Sequence, residues 1–255
     1  MSDANTTSES FRAVVARLSH AQKPNKGAPA YSRFVNRPLG RLIAAAAFRA
    51  GLTPNQVTAV SAAFSFAAIA MIALLRPVWW LGVLVAACLV IGYAFDAADG
   101  QLARLRGGGT KSGEWLDHMI DATKISSMHL AVLVSAYRFF GLPSDGWLLV
   151  PIGYSVVSNV MFFGMILNDQ LRRQHLASGV PPVWSSGGST VRSLAVIPTD
   201  YGLLCLLFVL LGATTVFFWA YSLLFLGNAG FMALASVKWF RDMRALDLAS
   251  TAGSL

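Results

Sequence analysis

The chain has 255 residues, 55% of them hydrophobic and only 13% charged, with a net charge of +8 and a mean hydropathy of +0.57. A soluble domain carries roughly a quarter charged residues, so the composition excludes an ordinary water-soluble enzyme and points to a single compact membrane domain. Seventeen of the 20 Lys and Arg fall in the N-terminal segment, 104–111, 172–192 and the C-terminal tail. These are alternate connections between apolar runs, so the basic excess reads as cytoplasmic enrichment of Lys and Arg, with some attraction to anionic headgroups, and not as a nucleic-acid surface.

Residues 1–30 are polar, with Pro24, Gly27 and Pro29 and no apolar signal-peptide core, and are expected to form a flexible cytoplasmic tail. "FRAVVARLSH" is short and mixed enough to leave open whether it is helical. From 31 to 50, Arg33, Arg37, Arg41 and Arg49 combine with an apolar stripe. A helix over about 34–50 is expected either to lie in the membrane interface or to pack on the protein's own cytoplasmic face. Thr53 followed by Pro54 predicts a capped helix start. Val57–Leu75 contains 19 residues without a charge, close to the roughly 20 that a span needs.

A second span covers 78–95 and runs into Asp96. "RGGGTKSG" (106–113) is a loop, and a third span runs from near Gly113 to about Phe140. "GLPSDG" (141–146) turns the chain, and 147–168 is the fourth span. Residues 169–200 are too polar to span and are expected to be a cytoplasmic loop with a short helix at 169–177. The 37 residues from 201 to 237 carry no charge. As one helix they would measure roughly 55 Å, nearly twice a hydrocarbon core, so the run must fold back near Gly212–Thr215 into spans five and six. The expected architecture is all-α: six transmembrane helices and an N-terminal interfacial amphipathic helix, forming a catalytic membrane domain over 31–244, with a C-terminal tail over 245–255. Both termini then lie in the cytoplasm. The seven Trp mostly flank spans, as interfacial anchors do, and Cys88 and Cys205 read as small apolar fillers.

Against this background the acidic residues stand out. An aspartate at the centre of a membrane helix costs about 2.5–3.5 kcal/mol on insertion scales. Asp96 and Asp99 share one helix face with Gly100 and Ala103, and Gly113, Asp117 and Asp121 share another. Paired antiparallel, the two helices would bring four carboxylates together. Such a group repels itself unless cations intervene, and hard oxygen ligands suit Mg²⁺, Mn²⁺ or Ca²⁺, not zinc. Two carboxylate-clamped divalent ions are a recurrent device for displacement at phosphorus. A diphosphate would complete their shells, and Arg104 could add a bidentate contact to it. The simpler alternative, isolated acids each paired with a base or lining a wet cavity, fits one aspartate better than four at these spacings.

The run D-x2-D-G-x2-A-R-x8-G-x3-D-x3-D is matched without a gap by Asp96, Asp99, Gly100, Ala103, Arg104, Gly113, Asp117 and Asp121. It resembles the signature of the CDP-alcohol phosphotransferases, integral membrane enzymes of phospholipid synthesis. The likeness extends over "TPNQVT" and the six-span layout, roughly 34–240. It implies Asp96, Asp99, Asp117 and Asp121 as ligands of two Mg²⁺ or Mn²⁺ ions, with Asp121 also the general base. It implies a nucleotide pocket of Asp99, Gly100, Ala103, Arg104 and Gly113, joined by Pro54 and Thr58. The small residues would let cytidine approach closely. The implied reaction is attack of an alcohol on a CDP-alcohol, with CMP leaving. The donor would be CDP-diacylglycerol and the acceptor a small polar alcohol such as inositol phosphate or glycerol phosphate. A soluble CDP-polyol donor or a lipid acceptor stays open. Membrane lipids and a second copy of the chain, as a homodimer in the cell membrane, are the implied partners.

Other residues admit two readings. Gly107–Gly109 lacks the G-x4-G-K-[ST] pattern of a phosphate loop and reads as a hinge. His118 lies on a different face from the aspartates and reads as packing or support. Lys124 shares the face of Asp121, either pairing with an aspartate or holding an acceptor phosphate. Arg172, Arg173 and Arg192 are either acceptor-phosphate contacts or topological charges. Two further functions compete with phosphotransfer. An intramembrane prenyltransferase normally needs a second Asp-rich motif, absent after residue 125, and a cation transporter would place its acids mid-membrane.

Overall fold

The computed structural model describes residues 9–20, 29–177 and 199–252. All regular structure among them is helical. Helix α1, Phe11–His20, lies inside the stretch expected to be a tail. Val14 and Leu18, four apart and therefore on one face, are fully buried in a cluster with Ala44, Ala45 and Phe48. Those residues belong to α2, Arg37–Arg49, which is entered through a π-helical turn at Ser32–Asn36. The inner face of this segment packs on the protein, whereas Phe34, Leu39 and Leu42 remain 68%, 40% and 48% exposed.

Helix α3, Pro54–Leu74, starts with the expected cap. Thr53 Oγ1 accepts from the Gln56 N–H at 3.3 Å, and Gln56 Oε1 accepts from the Thr53 N–H at 2.8 Å, a reciprocal box that satisfies two otherwise orphaned donors. Helix α4, Trp79–Leu105, is one rod of 27 residues, so the second span and its extension are continuous. Helix α5 is Lys111–Phe139. After a 3₁₀ turn at Asp145–Leu148, α6 runs Leu149–Ala177 and absorbs the separate helix expected at 169–177. Helix α7, Tyr201–Leu207, tightens into a 3₁₀ turn at Phe208–Gly212, and α8 covers Thr214–Ala252, continuing past the expected end of the bundle.

Among the described residues, four stretches are long and apolar enough to cross a membrane: Pro54–Leu74, Trp79–Leu105, Asp145–Ala177 and Thr214–Leu248. The other two expected spans differ for physical reasons. Helix α5 has ample length at 29 residues, but Lys111, Glu114, Asp117, Asp121 and Lys124 make its first half polar. Tyr201–Gly212 is apolar but short of a full span. The fold-back does fall at Gly212, where Ala213 leaves helical geometry with φ −99° and ψ 70°. A Cβ on Gly212 would lie 2.4 Å from the Trp79 backbone nitrogen, so the reversal seats directly on the start of α4.

The main core joins α3, α4, α5, α7 and α8 through Ile72, Leu89, Val132, Leu204 and Tyr221. A second, smaller core lies under the acidic motif, where Ala98 and Leu102 of α4 meet α1, α2 and Val57. Outward faces keep large apolar side chains such as Leu74, Leu223 and Leu234 exposed, a surface suited to lipid and costly in water.

Candidate active site

Helices α4 and α5 are joined by a turn in which Gly107 and Gly108 adopt φ of 95° and 125°, a region few side chains tolerate. The Gly108 N–H donates to the Ala103 carbonyl at 2.9 Å. Thr110 Oγ1 accepts from the Gly113 N–H at 3.0 Å and so caps α5. Both helices pack on α3, which brings their acidic faces to opposite sides of one space.

Carboxylate oxygens of Asp96, Asp117 and Asp121 lie within 4.8 Å of one another. Lys124 Nζ sits between two of them, 2.6 Å from Asp96 Oδ1 and 3.0 Å from Asp121 Oδ1, and 3.4 Å from Ser61 Oγ. Three carboxylates and one ammonium therefore share a partly enclosed site with a surplus of negative charge. Asp99 does not join this group. It is buried one turn along α4, where its Oδ2 accepts from the Thr58 hydroxyl at 2.6 Å. Hard oxygens at this separation fit a divalent cation, which would replace the ammonium as counter-charge.

Two cavities meet at this cluster. The first, of about 920 Å³, is lined by Pro54, Thr58, Asp99, Gly100, Ala103, Arg104 and Gly113, together with Asp117 and Asp121. All seven residues expected around the nucleotide thus face one space. A Cβ built on Gly100 would meet only Arg104 Nη1, at 3.6 Å, so protein packing does not demand glycine there and its smallness leaves room in the cavity. At Gly113 the added atom would come within 3.1 Å of Thr110 Oγ1 and 3.2 Å of Asn55 Oδ1.

The second cavity, of about 840 Å³, has Asp96, Asp121 and Lys124 at one end and His129, Tyr154 and Asn228 deeper in. Asp121 lines both cavities. The deep end carries buried polar groups: His129 Nδ1 is 2.7 Å from the Tyr221 hydroxyl and Nε2 is 3.0 Å from Ser158 Oγ. Asn228 Nδ2 donates to the Tyr154 hydroxyl at 3.0 Å. Sequence reasoning missed this group. The available signal was His129 itself, the one ionisable residue in the apolar window that follows Lys124.

Of the expected acceptor-phosphate residues, Arg173 lines the first cavity and Lys124 the second. Arg172 pairs with Asp242 at 2.5 Å, and Arg173 pairs with Glu114 at 3.1 Å and Asp169 at 2.7 Å, so both tie helix ends together. Lys124 takes the aspartate-pairing alternative. Arg192 lies outside the described residues. His118 is 4.0 Å from Glu114 Oε1, lines the first cavity and sits outside the carboxylate cluster. Cys205 is buried, Cys88 is half-buried, and both are free thiols.

A sequence model of CDP-alcohol phosphatidyltransferases matches residues 51–236. The chain belongs to the CDP-alcohol phosphatidyltransferase family. Among curated relatives, the phosphatidylinositol phosphate synthase of Mycolicibacterium smegmatis is 31% identical over 125 residues, 49% of this chain and 54% of the relative. The corresponding synthase of Corynebacterium glutamicum is 35% identical over 104 residues, 40% of each chain. The matched segments thus span about half the length of these relatives or less. A crystal structure of Mycobacterium tuberculosis phosphatidylinositol phosphate synthase with CDP-DAG bound is 21% identical, with a TM-score of 0.49 over 83% of this chain and 93% of that one. A second, in complex with manganese and citrate, has the same identity and a TM-score of 0.43 over 80% and 87%. The CDP-alcohol phosphatidyltransferase match begins at residue 51, so α1 and α2 both precede the family region.

Proposed function

We propose that this chain is a membrane phosphotransferase of phospholipid synthesis. It moves a phosphatidyl group from CDP-diacylglycerol to the hydroxyl of a small polar alcohol such as inositol phosphate or glycerol phosphate, and releases CMP. The observation that carries the reading is the convergence of Asp96, Asp117 and Asp121 at the edge of the cavity lined by the rest of the motif. Family membership and the names of the curated relatives support the donor and acceptor classes.

Asp96, Asp117 and Asp121, with Asp99 at the nucleotide side, would hold two Mg²⁺ or Mn²⁺ ions, which when bound would supply positive charge to neutralise the diphosphate and stabilise CMP as leaving group. Thr58 holds the Asp99 carboxylate in one orientation. Gly100, Ala103 and Gly113 leave space for the cytidine nucleotide, Pro54 and Thr58 close that pocket from α3, and Arg104 contacts phosphate. The acceptor oxygen forms a bond to the phosphorus that carries diacylglycerol. The bond from that phosphorus to the CMP oxygen breaks, and CMP leaves with the electron pair. Asp121, reached from both cavities, takes the hydroxyl proton. Lys124 lies beside the same oxygens and is placed to meet an acceptor phosphate once an ion occupies the cluster.

The larger assignments belong to this reading too. Six helices cross or re-enter the membrane, the exposed stripe of Phe34, Leu39 and Leu42 rests on acyl chains, and the termini and active site face the cytoplasm. Residues 31–244 are the catalytic domain, flanked by tails, and the chain works as a homodimer. The mainly apolar walls of the second cavity, with Met128, Leu204 and Phe231, favour a lipid acceptor as the alternative to a polar one.

The test is CMP release from CDP-diacylglycerol by purified protein, with and without Mg²⁺ or Mn²⁺, scanned over acceptors. Asp121→Asn is expected to lower turnover by about 10²–10⁴-fold, the usual contribution of a general base. Release that is indifferent to divalent ions and to Asp121→Asn would sink the proposal.

A further inference from the structure

Resting on the phosphotransferase reading for its functional consequence, we infer that α1 is a clasp that sets the glycine turn at the rim of the nucleotide cavity and thereby fixes donor affinity.

The connection runs through one ring. Val14 and Leu18 of α1 are 0% and 1% exposed, in the cluster that contains Phe48, Ala98 and Leu102. Ala98 and Leu102 immediately precede Asp99 and Ala103 on α4, so α1 props the motif helix from behind. Phe48 also receives two guanidinium groups. The Arg17 carbon lies 5.3 Å from the ring centroid and the Arg106 carbon 5.9 Å, both within cation–π range. Arg106 lines the nucleotide cavity and donates through Nη2 to the Leu52 carbonyl at 2.8 Å. It is the only residue of the 106–109 turn with a side chain. Gly107 and Gly108 supply no side chain to hold their conformation, and Gly108 and Gly109 line the cavity. The turn is hydrogen-bonded to α4 through Gly108 and Ala103, and its one side chain, Arg106, is seated by Phe48 and Leu52, with Phe48 packed in the cluster that holds the buried face of α1.

A turn held in its binding conformation spares the ordering cost of closing on a ligand. Loosening it weakens binding of the donor in ground and transition states alike, which raises KM and leaves kcat nearly unchanged. Because α1 lies ahead of the family match, this control is a property of the chain and not of the shared signature.

The test compares wild type with the double variant Val14→Ala, Leu18→Ala and with Phe48→Leu, which keeps apolar volume but removes the ring face; Leu18→Met is the conservative control. Two readouts are taken: KM and kcat for CDP-diacylglycerol with Mn²⁺, and amide hydrogen exchange of residues 104–110 in detergent. The double variant and Phe48→Leu are expected to raise KM about three- to tenfold by lost preorganisation, with kcat within twofold, and to speed exchange in the turn. Leu18→Met leaves both at their wild-type values. Fast exchange within α1 together with unchanged exchange at 104–110 and unchanged KM overturns the clasp. A wild-type protein that neither releases CMP nor binds CDP refutes the transferase reading, while the exchange comparison still decides the coupling of α1 to the turn.

Discussion

At the scale of single residues, Lys124 does the work of a counter-ion. Its ammonium touches Asp96 and Asp121 and is 7% exposed, against 24% and 27% for the two carboxylates. Removing one member of a buried ion group leaves uncompensated charge, which costs about 3–5 kcal/mol. Lys124→Met is therefore expected to lower the melting temperature sharply in EDTA, and Mn²⁺ is expected to recover most of the loss because the ion replaces the missing charge. Thermal melts with and without metal check this; an equal loss under both conditions would mean that no ion occupies the cluster. Asp99 behaves differently because Thr58 holds it on α3. One repeating pattern in the sequence thus yields two environments, set by neighbours outside the motif.

At the scale of elements, α3 is the surface on which the site is built. Its Thr58 meets Asp99, and its Ser61 donates to the Gly92 carbonyl at 2.8 Å and stands near Lys124. Contact between α3 and α4 is tight at Gly92: a Cβ there would lie 2.5 Å from Ser65 Oγ and 3.1 Å from the Ser61 carbonyl. Gly92→Ala is expected to push the two helices apart at a cost of about 1–3 kcal/mol, the range for overpacking a close-fitting interface. It should also shift Ser61 and slow CMP release. A thermal melt combined with the release assay reads both, and a variant as stable and as active as wild type would show that the helices are not clamped at this point. Helices α6 and α8 are tied by Arg172–Asp242 at 2.5 Å, and Lys238 of α8 shares the same carboxylate at 2.6 Å.

At the scale of the whole molecule, the proposed orientation rests on the charge pattern, which would put the acidic ends of α4 and α5 on the cytoplasmic side. The turns beside Arg76 and Arg138 lie at the ends of α3 and α5 remote from the acidic cluster, whereas Arg104, Arg106 and Lys111 lie beside it. In a background with Cys88 and Cys205 replaced by Ala, Pro77→Cys and Ser144→Cys are expected to react with an impermeant maleimide added outside cells, and Gly109→Cys only after the membrane is opened. Labelling of Gly109→Cys from outside would invert the topology.

The sequence by itself determined the membrane class, the starts of α3 to α6 and the acidic signature, because these follow from local quantities: apolar run length, capping chemistry at Thr53–Gln56, and three- and four-residue spacing on a helix face. The fold-back at Gly212 was legible for the same reason, since no single helix of that length fits a bilayer. Only the tertiary structure decided that three of the four aspartates converge while Asp99 turns to Thr58, because that choice depends on where α3 lies between α4 and α5. It also decided that Arg172 and Arg173 join helices by ion pairs, that His129 anchors a buried polar network, and that "FRAVVARLSH" is a packed helix. Each of these depends on a partner tens of residues away, and no local periodicity carries that information.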